Sequence, residues 1–510
     1  MIDVLVVGAG PVGLLLAGEL KLGGAEPLVL EAADAAERRS RSLGLRGING
    51  RSAQTLALRG LTGPLAKAQW EMLDQFAAAS DPDSADAVGT LVPLLAQGRA
   101  RGHFSGLPLV EDDEPSGIAG NLLLKQHLLE RILADRAREL GVRIRSGCAV
   151  VDVVDEGDTV TAVLADGRRF RAAYLVGCDG GRSVVRKRAG IDFPGTPPTM
   201  TGRTAVADLA DPEGISSSLR SSGGVVNLSL VPGEIATIEF DGGPDGCDLP
   251  VTAEEMQASI RRASGVEAVV TAFEVGIRYS DNTRQAADYR RGRILLAGDA
   301  AHVHSPIGGQ GLNLGLQDAV NLGWKLALVT GGRAPQRLLD TYTAERHPVA
   351  TRVLRNTRAQ VALMRPGPQV DGLREVLHEV LAIPDAMRHF IAMANGTDID
   401  YAPTAAHPLV GRFVPALELT GSGPVTALLR DGRGLLLDLG NSAEICSIAA
   451  GFTDRVRVVN ARTTASDDLA ALLIRPDGYV AWASADADPA GLIDALTGWF
   501  GSPTDASVIA

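Results

Sequence analysis

The hydrophobic pattern at the start of the chain predicts a strand, a helix and a second strand. A continuous apolar run from Val4 to Val7 enters the glycine-rich segment 8–13, and an apolar helix then extends to about Leu22. A second apolar run, Leu28 to Leu30, ends at the acidic Glu31. A β-α-β unit with a glycine-rich first turn and a following acidic residue is the arrangement that binds dinucleotides. The Glu31 carboxylate would bind ribose hydroxyls, which favours an adenosine ribose without a phosphate.

The residues of the first turn have separate physical tasks in such a unit. Gly8 allows the tight turn, Gly10 lets the backbone approach a pyrophosphate, and Gly13 lets the helix pack closely on the strand. Pro11 and Val12, in the first turn of the helix, are expected to contact the same cofactor.

A further apolar run, Ile294 to Ala297, ends in Gly298-Asp299 and precedes a loop rich in Pro and Gly that opens into an amphipathic helix. The Asp299 carboxylate can accept hydrogen bonds from sugar hydroxyls, while N–H groups at the helix start face negative charge. This segment therefore suits a polyhydroxylated, partly anionic ligand. The residues of the loop and helix start expected to face that ligand are Pro306, Gly309, Gly311, Leu312 and Asn313.

Between these motifs, residues 174–190 form another apolar run that ends in Asp179-Gly180. The three motifs together resemble the class A, para-hydroxybenzoate hydroxylase type, family of FAD-dependent monooxygenases. The sequence is most similar to the bacterial hydroxylases of aromatic polyketides such as angucyclines, anthracyclines and tetracyclines. The resemblance extends over nearly the whole chain and includes the segments 355–360, 407–415 and 472–484.

The resemblance implies a cofactor chemistry. In this family NADPH or NADH reduces FAD, and the reduced flavin reacts with O2 to give a flavin hydroperoxide that hydroxylates an electron-rich ring. It also implies that Asp299 binds the ribityl chain of FAD. N–H groups at the helix start, on Gly311, Leu312 and Asn313, would face the pyrimidine end of the flavin, where reduction leaves negative charge.

Three more cofactor contacts follow from the resemblance. Arg41 matches an arginine on the phosphate side of the cofactor, Gln126 a glutamine of the ribityl-phosphate region, and Asp179 a residue associated with FAD and nicotinamide. Each has a simpler interpretation: a solvated basic loop for Arg41, an exposed helix start for Gln126, and a cap of the following turn for Asp179. The sequence marks no catalytic base.

The expected fold class is α/β, with a Rossmann-like FAD-binding domain into which a mainly antiparallel substrate sheet is inserted. Residues 1–180 form the first part of the FAD-binding domain, with a substrate-facing insertion near 70–105, and residues 181–279 form the substrate-binding middle domain. Residues 280–395 complete the FAD-binding domain and add long helices. The resemblance implies that residues 396–510 form a thioredoxin-like domain. Cys446 is its single cysteine, so a structural or dimerising role is expected there rather than thiol chemistry.

Composition excludes several other classes. The 510 residues carry a net charge of −12 with a pI near 5.3, which argues against a nucleic-acid partner. The apolar runs are too short to span a membrane. The four cysteines form no CxxC pair, which excludes a disulfide reductase and suits a reducing cytoplasm. His302 and His304 form an H-x-H pair, but no credible further ligand completes a metal site.

Three functions therefore remain to be compared. The leading hypothesis is an NAD(P)H- and O2-dependent hydroxylase of a polycyclic aromatic polyketide, in a pathway of antibiotic biosynthesis. A Baeyer–Villiger or epoxidising oxygenase on the same scaffold would use the same FAD motifs, and a flavin-binding protein without turnover is the third. The choice between NADPH and NADH, the exact substrate, and a monomer or a homodimer stay open.

Overall fold

The structure, a computed structural model, describes residues 2–34, 43–79, 100–110, 121–210, 215, 218–228, 231, 233–244, 249–421, 423–463 and 469–504. Its helices are α1 Pro11–Leu22, α2 Gly50–Ala57, α3 Thr62–Ala79, α4 Gln126–Glu139, α5 Val184–Ala189, α6 Ala253–Ser264, α7 Gln310–Thr330, α8 Asp340–Met364, α9 Pro368–Leu381, α10 Pro384–Asn395, α11 Ala443–Ala449 and α12 Leu492–Phe500. The strands of the N-terminal region are β1 Val4–Val7, β2 Pro27–Leu30, β3 Leu45–Ile48, β4 Ala100–Phe104, β5 Leu107–Val110, β6 Leu122–Lys125, β7 Arg143–Arg145, β8 Val150–Asp155, β9 Val160–Leu164, β10 Arg169–Ala172 and β11 Tyr174–Gly177. The strands that follow are β12 Gly195–Thr196, β13 Thr201–Leu209, β14 Ser218–Ser221, β15 Gly224–Leu228, β16 Glu234–Glu239, β17 Val270–Ser280, β18 Thr283–Gln285, β19 Arg290–Arg291, β20 Ile294–Leu296, β21 His302–Val303, β22 Glu418–Leu419, β23 Gly423–Pro424, β24 Gly434–Asp438, β25 Val456–Asn460, β26 Ala471–Ile474 and β27 Val480–Ser484.

A six-stranded sheet of order β19-β20-β11-β1-β2-β7 forms the core that carries the sequence motifs. Its strands are parallel except the edge strand β19. Every residue of β1, β2 and β11 is buried, as expected for parallel strands covered on both faces. The predicted strand, helix and strand at the N-terminus are confirmed. Since β1, β11 and β20 are parallel neighbours, the three motifs that follow them meet at one edge of the sheet.

A second sheet, of order β14-β15-β16-β13-β17, is antiparallel throughout and confirms the antiparallel layer predicted for this region. Helix α6 packs on one of its faces, where Met256 and Ile260 meet Val226 and Ile235. The sequence analysis missed this helix, although Thr252 caps its first turn by accepting a hydrogen bond from the backbone N–H of Glu255. Because side chains alternate along a strand, the residues between those core positions, such as Val225 and Ala236, lie on the opposite face of the sheet.

The long helices follow the last motif. Helix α7 is almost entirely buried and packs along α1. The 3₁₀ turn Gln336–Leu339 leads directly into α8, which contains Pro348. Helices α9 and α10 lie beside the hairpin formed by β4 and β5, where Phe104 packs edge-on against Phe390.

The C-terminal region contains a four-stranded sheet of order β25-β24-β26-β27. Strands β24 and β25 are parallel, whereas β26 and β27 form an antiparallel hairpin that turns at Pro476-Asp477-Gly478, a typical turn sequence. Helix α12 closes the region, and its Phe500 packs against Trp324 of α7. This region is therefore in direct apolar contact with α7, beside the six-stranded sheet.

Buried ion pairs also join the two regions. Arg475 binds the Glu345 carboxylate of α8 with both of its terminal nitrogens, and Lys325 of α7 lies 2.8 Å from the same carboxylate. Arg59 bonds to Glu19 of α1 and donates to the carbonyl oxygen of Leu429. Breaking one partner of a buried pair costs several kcal/mol, roughly 3–5, so these contacts fix the C-terminal region to the core.

Within the described ranges, no helix combines the length and the apolar character needed to cross a membrane. The described residues also contain no group of three or more His, Cys, Asp or Glu side chains positioned to hold a metal ion.

Candidate functional site

A cavity of about 420 Å³ opens where the three motifs meet. Most of the predicted cofactor residues line it: Gly10, Pro11, Val12, Gln126, Asp299, Pro306, Gly309, Gly311 and Leu312. The structure thus brings together residues that lie up to three hundred positions apart in the sequence. Of the other predicted residues, Gly8, Gly13, Glu31, Asp179 and Asn313 lie around this cavity without lining it, and Arg41 lies outside the described residues.

The glycine turn at the end of β1 has the geometry that the sequence motif requires. Gly8 has a φ of +106°, and a Cβ there would overlap the carbonyl oxygen of Cys178. A Cβ at Gly13 would overlap the carbonyl oxygen of Gly8, so α1 could not pack this closely on the turn. At Gly10, by contrast, a Cβ would have no protein atom within 4 Å. Gly10 therefore leaves space on the cavity side, which is where a ligand would approach the backbone.

Glu31 lies behind this turn. Its carboxylate accepts hydrogen bonds from the backbone N–H of Ala9 at 2.6 Å and of Ala33 at 2.9 Å. These bonds hold the carboxylate at the end of β2, beside the glycine turn, and each oxygen keeps a lone pair for a further donor.

Asp299 lies in the turn that follows β20 and lines the cavity. Burial raises the pKa of Asp299, while the nearby His302 and Arg46 act in the opposite direction. Arg46 of β3 lines the same cavity and donates from Nε to the Gln126 side-chain oxygen at 3.0 Å. Gln126 in turn donates to Glu130 at 2.9 Å. Gln126 therefore lies at the cavity as predicted, and it also orients an arginine that the sequence analysis did not select.

Arg46 is the main cationic side chain that sequence reasoning missed at this cavity. The family resemblance indicates Arg41 in the same basic segment, and Arg41 lies outside the described residues. The available signal was weak, because Arg46 is one of several arginines in a short stretch. Its position depends on the pairing of β3 with β6, which brings Arg46 close to Gln126.

The loop before α7 supplies the opposite wall. Gly311 and Leu312 lie in the first turn of the helix, where backbone N–H groups have no partner within the helix and the dipole favours negative charge. Asn313 does not line this cavity. Its side-chain nitrogen donates to the carbonyl oxygens of Gly47 and Gly309, and its oxygen accepts from the backbone N–H of Asn49. Asn313 therefore holds β3 against the helix start.

Asp179 also lies beside the cavity rather than in its wall. Its carboxylate accepts hydrogen bonds from the Ser183 hydroxyl and from the backbone N–H groups of Val184 and Val185. The side chain thus caps the start of α5, which is the simpler of the two interpretations that the sequence left open.

A buried charge cluster supports the Asp299 turn from below. Asp318 of α7 accepts from the backbone N–H of Gly298 at 3.1 Å, and it bonds to His302 Nε2 at 2.6 Å and to Arg346 Nε at 2.8 Å. The side chains of Asp318, His302 and Arg346 are completely buried. These charge partners hold the pKa of Asp318 below its usual value. The sequence carries little signal for this cluster, because Arg346 lies between Glu345 and His347 on a largely polar helix.

His304 lies in the cavity wall against Gly311. Its Nδ1 is 2.8 Å from the carbonyl oxygen of Ser305 and donates to it, which leaves Nε2 as an acceptor. Among the described residues, this buried Nε2 has no hydrogen-bond partner. Burial lowers the pKa of His304 to about 4, so its ring is neutral at neutral pH. His302 is bonded through Nε2 to Asp318, and the described residues place no group of three or more His, Cys, Asp or Glu side chains around the H-x-H pair.

A second cavity, of about 630 Å³, adjoins the first. The two cavities share Leu45, Gly47, Pro306 and Gly309 in their walls. The second sheet forms one wall with Val225, Asn227, Ala236, Ile238 and Tyr279. The β4–β5 hairpin forms another with Arg101, His103 and Pro108. This cavity is mainly apolar, with a few polar side chains, as is typical of small-molecule sites.

The first cavity fits FAD by its chemistry. Open space at Gly10, the N–H groups at the start of α7 and the Asp299 carboxylate suit a pyrophosphate, a flavin and sugar hydroxyls respectively. The Glu31 carboxylate lies next to the cavity, behind the glycine turn. The unpartnered His304 Nε2 provides one more acceptor in the wall.

Comparison with known proteins gives matches over nearly the whole chain. Residues 1–357 match a family described as FAD binding domain, and residues 407–503 match one described as aromatic-ring hydroxylase, C-terminal. A 12-dehydrotetracycline 5-monooxygenase/anhydrotetracycline 6-monooxygenase from Streptomyces rimosus is 39% identical, over 98% of this chain and 99% of the relative. A rifampicin monooxygenase from Streptomyces venezuelae is also 39% identical, over 99% of this chain and 100% of the relative. The crystal structure of CabE, an aromatic hydroxylase from angucycline biosynthesis, is 38% identical with a TM-score of 0.82, over 98% of this chain and 99% of that one.

Proposed function

The chain belongs to the FAD-binding aromatic-ring hydroxylase family of monooxygenases, and we propose that it hydroxylates a polycyclic aromatic polyketide with NADPH or NADH and O2 as co-substrates. The observation that carries this proposal is the pair of adjoining cavities. One has the chemistry of an FAD site, and the other is an apolar chamber that shares a wall with it. The relatives named above act on large polycyclic antibiotics or their precursors, which supports the substrate class.

The cofactor would lie along the first cavity. Gly8, Gly10 and Gly13, with Pro11 and Val12, would admit the pyrophosphate at the start of α1. Glu31 would bind the adenosine ribose. Asp299, Gln126 and Arg46 would hold the ribityl and phosphate region. Arg41 would contact the phosphate side of the cofactor, and Asp179 would act indirectly, through the turn that its carboxylate caps. Pro306, Gly309, Gly311, Leu312 and Asn313 would form the flavin end.

FAD, when bound, supplies the reduction of O2 with electrons from NADPH or NADH and the transfer of one oxygen atom to the substrate. The protein's own task is to bind, orient and exclude water. The N–H groups at the start of α7 would stabilise negative charge at the pyrimidine end of the flavin, because they and the helix dipole are fixed in place before the reaction. Asn313 keeps β3 against these groups.

The substrate would lie in the second cavity. Val225, Ala236 and Ile238 give it a flat apolar wall, which suits the face of a fused aromatic ring system and removes water from it. Pro306 and Gly309 lie in the walls of both cavities, so a ring in this chamber lies next to the flavin end of the cofactor.

The C-terminal region would form a thioredoxin-like domain that stabilises the assembly. The order of its strands, with a parallel pair, an antiparallel hairpin and a final helix, supports that assignment. Its role is structural, because Cys446 has no CxxC partner in the sequence.

Product analysis under isotopically labelled O2 tests the function. The purified protein with FAD would be mixed with NADPH and a panel containing anhydrotetracycline, rifampicin and angucycline intermediates. One labelled oxygen in a product with its ring system intact is expected. A labelled lactone would instead indicate Baeyer–Villiger chemistry. NADPH consumption that yields only peroxide, with every substrate unchanged, would contradict the substrate class.

The cofactor assignment has its own test in Asp299→Ala. Loss of a carboxylate that binds the ribityl chain should weaken FAD binding by at least about tenfold, or 1.4 kcal/mol. The measurement is the FAD dissociation constant from flavin fluorescence titration of the apoprotein. Asp166→Ala, a change at an exposed surface ion pair, is the control. Unchanged FAD affinity in Asp299→Ala would show that this residue does not hold the cofactor.

A further inference from the structure

His103 lies on the β4–β5 hairpin, in the wall of the second cavity and away from every sequence motif. Its side chain is accessible from the cavity. Arg101, on the same strand, lines the cavity too and brings a positive charge to this wall. The strand is held in place by Asn395, which also lines this cavity and donates from its side-chain nitrogen to the carbonyl oxygen of Arg101 at 3.0 Å. The part of the cavity wall that carries His103 is therefore fixed in position.

The hydrogen bond at Nδ1 decides which tautomer His103 adopts. The backbone N–H of Gly106 donates to His103 Nδ1 at 3.2 Å. An imidazole nitrogen that accepts a hydrogen bond carries no proton, so in the neutral ring the proton is on Nε2. Surrounding protein lowers the pKa of His103 below its ordinary value, which keeps the ring neutral near neutral pH. Nε2 is then a hydrogen-bond donor on the ring edge opposite the turn.

The opposite wall of the second cavity indicates which part of a substrate His103 Nε2 could contact. Val225, Ala236 and Ile238 are apolar, and Asn227 is the amide-bearing residue on the same face of the sheet. A fused ring system fits the apolar area, while oxygen substituents at its edge need polar partners. A donor at His103 and the positive charge of Arg101 both favour an oxygen acceptor, such as a carbonyl or a phenolate.

We propose that His103 is a specificity-determining residue that donates a hydrogen bond from Nε2 to a carbonyl oxygen of the substrate, rather than acting as a base. The inference rests on the proposed function, since it assumes that the second cavity holds the aromatic substrate. Asn227 offers a second hydrogen-bonding group from the sheet, so an edge rich in oxygen is selected over a hydrocarbon edge.

The test compares two substitutions in the FAD-loaded enzyme. His103→Phe keeps a ring but removes the donor. His103→Gln keeps an N–H donor but cannot take up a proton near neutral pH. The probes are 2,6-dihydroxyanthraquinone and 2,6-dihydroxyanthracene, which have the same fused rings and hydroxyls and differ in the two carbonyl groups. Dissociation constants are measured by isothermal titration calorimetry.

His103→Phe should weaken binding of the anthraquinone roughly two- to tenfold, the range for one neutral hydrogen bond, and leave the anthracene within about twofold. His103→Gln should recover anthraquinone binding to within about threefold of the wild type. In the labelled-oxygen assay, His103→Gln should also retain more product than His103→Phe.

Three results would overturn the inference: an equal loss for both probes, no loss for either, or a His103→Gln enzyme as impaired as His103→Phe. Wild-type enzyme that binds neither probe would overturn it as well. These outcomes are separate from a failure of the proposed function, which is read from the labelled product of the wild-type enzyme alone.

Discussion

Replacing Asp318 by asparagine should destabilise the protein strongly, although the two side chains have nearly the same shape. Asp318 accepts hydrogen bonds from Gly298, His302 and Arg346, and it is completely buried. In Asp318→Asn, one carboxylate oxygen becomes an amide nitrogen, which is itself a donor and faces one of these donors. The Arg346 cation also loses its buried counter-charge.

The magnitude follows from the burial. Removing one partner of a buried, hydrogen-bonded ion pair costs roughly 3–5 kcal/mol, because the other charge stays in a site without water. Folded proteins are stable by only about 5–15 kcal/mol, so this loss is a large share of the total. The Gly298 N–H also depends on this carboxylate, and the next residue is Asp299. We therefore expect FAD to bind at least about tenfold more weakly, equivalent to 1.4 kcal/mol.

The assay is urea denaturation followed by far-UV circular dichroism, with FAD affinity measured in parallel. Asp166→Asn is the matched control, because Asp166 pairs with Arg168 at the surface with both side chains about half exposed. Exposed pairs contribute only about 0–1 kcal/mol. The double variant Asp318→Asn/Arg346→Met should lose at least 0.5 kcal/mol less than the sum of the two single variants, since it removes the stranded cation.

A loss below about 1 kcal/mol in Asp318→Asn, or a loss no larger than that of Asp166→Asn, would refute this reasoning. Additive effects in the double variant would show that Asp318 and Arg346 do not act as a pair. Normal FAD affinity in a destabilised Asp318→Asn protein would limit the cluster to a role in folding.

The remaining predictions concern the glycine turn, the cavity histidine and the C-terminal cysteine. Gly13→Ala should prevent stable folding and FAD binding, because its Cβ would overlap the carbonyl oxygen of Gly8. Gly10→Ala should fold with an unchanged melting temperature and bind FAD at least about tenfold more weakly. Equal behaviour of the two variants would contradict this geometry. His304 has a folded-state pKa of about 4, below the roughly 6.5 of an unfolded histidine, so the unfolded apoprotein binds the extra proton between these values and stability should fall as the pH falls through this window. In His304→Asn, the midpoint of urea denaturation should depend less on pH within this window. An unaltered pH dependence would show that His304 has an ordinary pKa. Cys446→Ser should keep NADPH oxidation and FAD content within about twofold of the wild type, and loss of turnover with a normal melting temperature would instead point to thiol chemistry.

Local pattern was enough to predict the elements that carry the motifs. The apolar run Val4–Val7, its glycine turn and α1 are contiguous, and a buried parallel strand followed by such a turn has few other folds available. The hairpin at Pro476-Asp477-Gly478 was predictable for the same reason, since turn residues act within a few positions. Helix α6 was missed because the short runs around it indicated strands, and its amphipathic pattern spans only twelve residues.

Contacts between distant segments could not be read from such patterns. The hydrogen bond between Asn49 and Asn313 joins residues 264 positions apart in the sequence, and the bond between Arg46 and Gln126 joins residues 80 positions apart. Asn49 and Arg46 have ordinary sequence neighbourhoods, so nothing local marks them as part of a site. Asp179 shows the converse: the motif drew attention to it, and its carboxylate caps α5.

The amino-acid sequence alone was sufficient for the family, the cofactor and the location of the binding edge, because these depend on short glycine-rich turns whose geometry is set by neighbouring residues. The chamber beside the FAD site, the Asp318 cluster and the tautomer of His103 required the folded chain. They arise where separate elements pack together, and there burial and the available partners, rather than residue type, set the charge state and the role of each side chain.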